Sequence, residues 1–176
     1  MLDPMFEGKL DKVFGAAKAS IIGGQSDGPQ LKISADLESE LAEFTSKESA
    51  YLLNFGYQGI LSTIDSLVSK NDIIVYDIDA HACIVDGVRL HLGKRFTYQH
   101  NDMKSLEKNL ERATKMAEQT GGGILVISEG VFGMRGEQGK LKEIVQLKRK
   151  FNFRLLVDDA HGFGTLGKTG AGAGEE

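Results

Sequence analysis

The stretch FRLLVDDAHG, residues 153–162, joins an apolar run to two carboxylates and an imidazole. Residues 153–157 read as a buried strand that Asp158 and Asp159 follow directly, and His161 comes after one alanine. Neighbouring side chains of a strand point to opposite sides, so one acid can face a ligand while the other serves the fold. Carboxylates are costly to bury without partners. The stretch therefore indicates either a ligand site or buried acids that are satisfied by backbone N–H groups.

Outward from this stretch, apolar strands alternate with amphipathic helices. Further strands are predicted at 50–53, 72–76, 95–98 and 123–128, and helices at 36–44, 56–68, 81–90, 103–119 and 141–151. Asp36 is expected to cap the first of these helices. Apolar strands separated by helices are typical of a mostly parallel sheet with helices on both faces. The sequence thus predicts an α/β fold that binds ligands at the carboxyl ends of its strands.

The composition is that of an ordinary globular chain. Of its 176 residues, 41% are hydrophobic and 26% are charged, with a formal net charge of −4. No basic tract suggests nucleic acid or an anionic membrane as a partner. The apolar runs are too short for a transmembrane segment, and the first residues do not resemble a secretory signal. A single cysteine, Cys83, excludes an intrachain disulfide framework. We therefore expect a cytoplasmic protein.

Two other predicted strand ends carry candidate ligand groups. Gly56 and Tyr57 open a helix after the strand at 50–53, where free N–H groups and the helix dipole favour a phosphate. Gly56 can equally be a simple tight turn. Glu129 ends a buried strand, where it can face a ligand or cap a turn.

His81, after the strand at 72–76, has three interpretations. It can cap the following helix, offer a flat ring for stacking on a ligand ring, or join Asp79 and Cys83 as a metal ligand. A metal site is better served by a fuller ligand set than these three residues. We therefore expect no metal here.

Several motifs, in order along the chain, resemble those of the α-oxoamine synthases, which are fold-type-I enzymes that use pyridoxal 5′-phosphate (PLP). They are NFGYQG (54–59), DAHACIVDG (79–87), QHND (99–102), SEGVFGMRGEQGKL (128–141) and LLVDDAHGFGTLGKTGAG (155–172). The resemblance implies that residues 36–176 form an incomplete PLP-binding large domain of the aspartate aminotransferase-like fold. Residues 1–35 fit the family poorly and are expected to form an atypical N-terminal arm.

The resemblance also implies roles for single residues. Gly56 and Tyr57 correspond to the helix start that holds the cofactor phosphate, and Glu129 to a family acid at the same end of the sheet. The three implied catalytic residues are His81, which stacks on the pyridine ring, Asp158, which pairs with the pyridine nitrogen, and His161, which bonds the phenolic oxygen. Physical chemistry supports this assignment, because a buried carboxylate keeps the ring nitrogen protonated and thereby deepens the electron sink.

By resemblance, the parent protein is an acyltransferase that condenses an amino acid with an acyl-CoA and releases CO2, giving a 3-oxo amine. The motifs are most similar to those of bacterial serine palmitoyltransferases, which implies serine, palmitoyl-CoA and sphingolipid biosynthesis. The alternatives are 8-amino-7-oxononanoate synthase and 2-amino-3-ketobutyrate CoA ligase. The family also implies a homodimer.

Three departures from the family accompany this resemblance. Gly133 stands where the family usually has a serine, and no histidine precedes His81. The family's Schiff-base lysine lies some tens of residues beyond the D-x-x-H motif, so Lys168 is interpreted as a loop lysine. We therefore expect a fragment that is inactive alone, with a catalytically inert domain as the competing interpretation. A third possibility is a metallohydrolase built on Asp158, Asp159 and His161.

Overall fold

The computed structural model describes residues 29–175. Backbone contacts divide the chain into two units, one ending at Gly56 and the other starting at Tyr57. Most of the expected arm, residues 1–35, lies outside the described residues, and its boundary stays a prediction. Helix α1 (Pro29–Phe44) crosses that boundary.

In the first unit, two local predictions are wrong. Asp36 does not cap α1 but lies inside it, because the helix begins at Pro29, a residue type whose fixed φ suits a first helical turn. Residues 50–53 form no strand. The backbone N–H of Leu52 donates instead to Glu38 Oε1 at 2.9 Å, and Leu53 is 49% exposed. An apolar run without a neighbouring strand to pair with has no reason to adopt a strand.

The second unit contains the remaining helices and strands. They are α2 (Gly56–Leu67), β1 (Ile73–Asp77), α3 (Ala82–Leu90), β2 (Lys94–Tyr98), α4 (Met103–Thr120), β3 (Ile124–Glu129), β4 (Val131–Phe132), β5 (Glu137–Gln138), α5 (Leu141–Leu147) and β6 (Arg154–Asp158). Helix α5 ends four residues earlier than predicted, and a turn follows it. The β4–β5 hairpin was not predicted, because strands of two residues carry no periodic signal.

The four longer strands form one parallel sheet in the order β2-β1-β3-β6. Asp77 pairs in register with Tyr98, and Glu129 with Asp158. Since all four strands run in the same direction, their last residues lie along one side of the sheet, here named the carboxyl edge. It is defined by Asp77, Tyr98, Glu129 and Asp158, and three of these four residues are acids.

Helices cover both faces of this sheet, as predicted. One face, which includes Ile73 and Val75, packs against α4 and α5 through Leu106, Leu110 and Ile144. The other face packs against α2 and α3, and this second cluster includes Ile64, Ile74, Ile84, Val88 and Leu125. Alternate residues of β1 thus enter different cores, which is the arrangement that near-continuous apolar strands require.

Local signals set the ends of the longest helix. The Asp102 carboxylate caps α4 by accepting the N–H groups of Lys104 and Ser105, and Gly121 ends the helix in a left-handed conformation. Among the residues described, no helix has the length and apolar character needed to cross a membrane.

Candidate active site at the carboxyl edge of the sheet

His81 lies at the start of α3 and caps it. Its Nδ1 accepts the backbone N–H of Cys83 at 3.3 Å, and its own backbone N–H donates to Glu129 Oε1 at 2.6 Å. The imidazole is exposed, and the Tyr57 ring meets it edge-on with the centroids 6.1 Å apart. The helix-cap interpretation is therefore confirmed. Because the capping uses one edge of the ring, it is compatible with a ligand ring stacked on the imidazole face.

Asp158 is the last residue of β6, and its carboxylate is half-buried. Oδ1 accepts the backbone N–H of Ala160 at 3.1 Å, and Oδ2 accepts the Cys83 thiol at 3.6 Å. Within residues 35–175, no lysine or arginine forms an ion pair with this carboxylate. Asp158 can therefore accept a further hydrogen bond from a cationic N–H group.

Cys83 links the two expected catalytic residues. Its Sγ lies 3.0 Å from His81 Nδ1 as well as 3.6 Å from Asp158 Oδ2. Burial, helped by the charge of Asp158, raises the pKa of this thiol to about 11. The thiol thus stays protonated at neutral pH and acts as a weak donor. His81 and Asp158 lie within one side chain of each other, as expected from their positions at two strand ends.

Glu129 is the buried acid of the carboxyl edge, with 4% of its surface exposed. Burial raises its pKa, while the backbone N–H of His81 opposes the rise. That hydrogen bond joins the end of β3 to the start of α3, across 48 residues of sequence. The structure therefore makes Glu129 a group that holds the backbone of His81 in place.

A cleft of about 480 Å³ opens beside these residues. It is lined by Asp79, Ala80, His81, Glu129, Phe132, Gly133, Met134, Arg135 and His161. His161 is exposed there and packs against Gly133, where an added Cβ would lie 2.3 Å from His161 Nε2. The missing side chain at Gly133 thus makes room for this imidazole.

Asp159, the neighbouring acid, has different contacts. Its Oδ2 accepts the backbone N–H of Ala173 at 2.8 Å, and burial raises its pKa. Three glycines surround the carboxylate so closely that any Cβ on them would collide with its oxygens; they are Gly130, Gly162 and Gly172. Asp159 therefore fixes the glycine-rich loop that follows β6, whereas Asp158 contacts Cys83 and Ala160. The exposed Lys168 lies in that loop, as expected.

Two ion-paired residues near the cleft were missed by sequence reasoning. His100 Nδ1 lies 3.0 Å from Asp77 Oδ1, and its Nε2 lies 3.1 Å from Glu137 Oε2. Arg135 Nη2 lies 2.6 Å from Asp79 Oδ2. The QHND motif did single out the segment of His100, but its partners lie 23 and 37 residues away.

Gly56 and Tyr57 begin α2, whose first N–H groups have no acceptors within the helix. The Tyr57 hydroxyl bonds the Asp86 carboxylate, which raises the pKa of the tyrosine and lowers that of the acid. Gly56 belongs to the first unit, so Tyr57 alone is placed beside His81.

The metal interpretations gain no support from these contacts. The Asp79 carboxylate pairs with Arg135, and in the part of the chain that the structure describes, no three His, Cys, Asp or Glu side chains are arranged to hold a metal ion. The same side chains do fit PLP. His81 and His161 line one cleft, and the half-buried Asp158 carboxylate has no lysine or arginine partner among residues 35–175, so these side chains offer the flat rings and the acceptor that a cationic pyridine ring needs.

Comparisons with known proteins agree with this fit. The family model for aminotransferase class I and II matches residues 6–174. A cysteate-C-fatty acyltransferase from Capnocytophaga ochracea is 78% identical over 139 residues, which are 79% of this chain and 33% of that protein. An 8-amino-7-oxononanoate synthase from Fervidobacterium nodosum is 42% identical over 81% of this chain and 36% of its own. The chain thus spans about a third of the length of these relatives.

Solved structures show the same relationship. A serine palmitoyltransferase from Sphingomonas wittichii superposes with a TM-score of 0.72 and 40% identity, over 79% of this chain and 34% of that one. Another serine palmitoyltransferase structure contains PLP and superposes with a TM-score of 0.73 and 32% identity, over 81% of this chain and 34% of that one. The expected cofactor and fold are thereby confirmed. The chain belongs to the aminotransferase class I and II family, and its close relatives are α-oxoamine synthases.

Proposed function

We propose that this chain forms the cofactor-binding part of a PLP-dependent C-acyltransferase that condenses an amino acid with a fatty acyl-CoA. The reaction releases CoA and CO2 and gives a 3-oxo amine. One observation carries the proposal: the exposed His81 imidazole and the Asp158 carboxylate meet at the carboxyl edge, joined through the Cys83 thiol. This is an arrangement suited to a flat cationic ring.

When bound, PLP supplies an electron sink for negative charge at the Cα of the amino acid. Asp158 accepts the pyridine N–H and keeps the proton on that nitrogen. His81 packs on the ring and orients it, and His161 donates to the phenolic oxygen. Glu129 acts through His81, because it fixes the backbone of that residue. The free N–H group of Tyr57, in the first turn of α2, binds the phosphate.

The relatives favour cysteate over serine as the amino acid. Serine and palmitoyl-CoA follow from the motifs of serine palmitoyltransferases, whereas the relative at 78% identity is a cysteate-C-fatty acyltransferase. Because the match covers about a third of that relative, residues outside it can also contribute to the choice of amino acid. Cysteate is therefore the first candidate and serine the second.

The test uses the complete enzyme that contains this sequence. The purified PLP-loaded protein is incubated with palmitoyl-CoA and with L-cysteate or L-serine, and released CoA and the product mass are measured. We expect CoA release that depends on the amino acid, with a product that has lost CO2. Absence of CoA release with either amino acid contradicts the proposal.

The resemblance also supports a homodimer in the cytoplasm as the working state. Sedimentation equilibrium of the complete enzyme tests the dimer directly, and a monomer that retains full turnover contradicts it.

A further inference from the structure

The cleft beside His81 contains a charge that the proposed chemistry at the cofactor does not use. Of the cleft-lining side chains in the described part of the chain, Arg135 is the one that carries a permanent positive charge. Two acids, Asp79 and Glu129, line the same cleft. An amino acid with a second acidic group would meet repulsion here unless a cation received that group.

Arg135 is placed for this task by the β4–β5 hairpin. Its backbone N–H donates to the carbonyl of Phe132 at 3.0 Å, within a turn that Gly136 completes with a φ of 67°. The turn holds Arg135 on the same wall of the cleft as Gly133, which packs against His161. Arg135 thus shares one opening with His81 and His161.

The ion pair with Asp79 orients the guanidinium of Arg135 and leaves most of its N–H donors available. Asp79 Oδ2 lies 2.6 Å from one nitrogen, Nη2, and 52% of the Arg135 side-chain surface remains exposed. A guanidinium has five N–H donors arranged in a planar fork. The remaining donors can form a bidentate contact with a sulfonate or carboxylate, which is the geometry that arginine favours over lysine.

We propose that Arg135 is a specificity-determining residue that binds the anionic side-chain group of the amino acid substrate, a sulfonate in the case of cysteate. This inference rests on the proposed acyltransferase function and deepens it. Serine lacks a second anionic group, so Arg135 contributes little to the reaction when serine is the substrate. The cleft therefore discriminates between the two amino acids through one charged contact.

The test compares Arg135→Gln with wild type in the complete PLP-loaded enzyme. A charge-assisted contact of this kind corresponds to about a 10- to 100-fold effect. We expect kcat/KM for L-cysteate to fall by about that factor, and that for L-serine to change by less than about threefold. Arg135→Lys retains the charge and should recover part of the loss. Arg149→Gln, which removes an exposed arginine that follows α5 and does not line the cleft, serves as the matched control.

Binding provides a second readout that does not depend on turnover. Calorimetric titration of L-cysteate and L-serine into the wild type and Arg135→Gln, with and without PLP, should show the same selective loss of cysteate affinity. Equal losses for both amino acids overturn the inference and make Arg135 a structural residue. A raised KM for the acyl-CoA with unchanged cysteate use also overturns it and assigns the guanidinium to the CoA phosphates.

These outcomes separate the inference from the proposed function. If no amino acid supports CoA release, but cysteate binding still depends on Arg135, the acyltransferase proposal fails and sulfonate recognition stands. If wild type does not bind cysteate, the inference is overturned, whatever the outcome with serine.

Discussion

At the scale of single residues, the adjacent acids Asp158 and Asp159 divide their work. Asp158 touches Cys83 and the start of the next loop, whereas Asp159 is enclosed by glycines and bonds Ala173. The sequence predicted that the two carboxylates would have separate surroundings, because strand geometry sends adjacent side chains to opposite sides. It could not predict the thiol between Asp158 and His81, because that contact joins positions 75 residues apart.

Asp158→Asn tests the role of the first acid. In the complete enzyme we expect turnover to fall at least about a hundredfold, or roughly 2.7 kcal/mol of transition-state stabilisation, because a neutral amide does not hold the proton on the ring nitrogen. Steady-state CoA release measures the loss, and the melting temperature checks the fold. Asp159→Asn is the matched variant. It should lower the melting temperature, and it should reduce turnover less than Asp158→Asn does. Near-normal turnover of Asp158→Asn would remove that residue from its assigned role.

Gly133→Ser restores the residue that the family usually has at this position. A Cβ there would lie 2.3 Å from His161 Nε2, so the imidazole must move. Because the imidazole is expected to contact the cofactor, moving it should lower kcat by about tenfold or more. The histidine signals in an NMR spectrum report the movement, and CoA release reports its effect. Leu92→Ser, at a side chain that is 89% exposed and does not line the cleft, is the control. Unchanged histidine signals together with unchanged kcat would show that the ring does not depend on Gly133.

At the scale of helices and strands, apolar periodicity predicted the long elements. It did not predict short strands, and it misled where an apolar run has no strand to pair with. Strands β1, β3 and β6 were predicted to within a residue or two, because buried parallel strands are continuous apolar runs. The same signal misled at 50–53, where Leu52 and Leu53 form an apolar run that pairs with no strand. The β4–β5 hairpin, which carries Gly133 and Arg135, has no periodic signal. The sequence thus located the strand ends at the carboxyl edge, but it did not predict the β4–β5 hairpin that lines the cleft.

His100 joins that hairpin to the carboxyl edge, and its charge gives the junction a pH dependence. Burial alone lowers its pKa, but the bonds to Asp77 and Glu137 outweigh burial and raise the pKa above its ordinary value. Because the pKa of His100 is raised, the full contribution of its charge to the free energy of unfolding is present below about pH 6.5. It is lost as the pH rises through the raised value.

His100→Gln should therefore lower the melting temperature of the complete enzyme by a few degrees at pH 6 and by clearly less at pH 9. Differential scanning calorimetry at the two pH values measures the difference from wild type. His91→Gln, at a buried histidine that bonds the backbone carbonyl of Asp72, is the control for loss of a ring without a carboxylate partner. A His100→Gln effect that grows with pH would contradict the assignment of a charged His100.

At the scale of the whole molecule, the sheet is covered on both faces but is open at its sides. Within the described residues, β2 pairs with β1 alone and β6 pairs with β3 alone. An unpaired strand edge presents free N–H and C=O groups, which are a template for association with another chain. Every residue of β6 is half-buried rather than buried, whereas β3 is buried throughout. The β6 edge is therefore more accessible than β3, and it is more apolar than the β2 edge, whose strand exposes Lys94, Arg95 and Thr97.

We expect the 176-residue polypeptide, studied by itself, to associate through the β6 edge at micromolar concentrations. Sedimentation velocity at several concentrations should show species heavier than the monomer, and their fraction should rise with concentration. Val157→Lys places a charge on β6 at a side chain that belongs to neither core cluster, so it should reduce association without emptying the core. Lys142→Gln, at an exposed side chain of α5, is the control for a change of charge. A polypeptide that stays monomeric at all concentrations would contradict the expectation. Association that Val157→Lys leaves unchanged would place the contact on another surface of the unit.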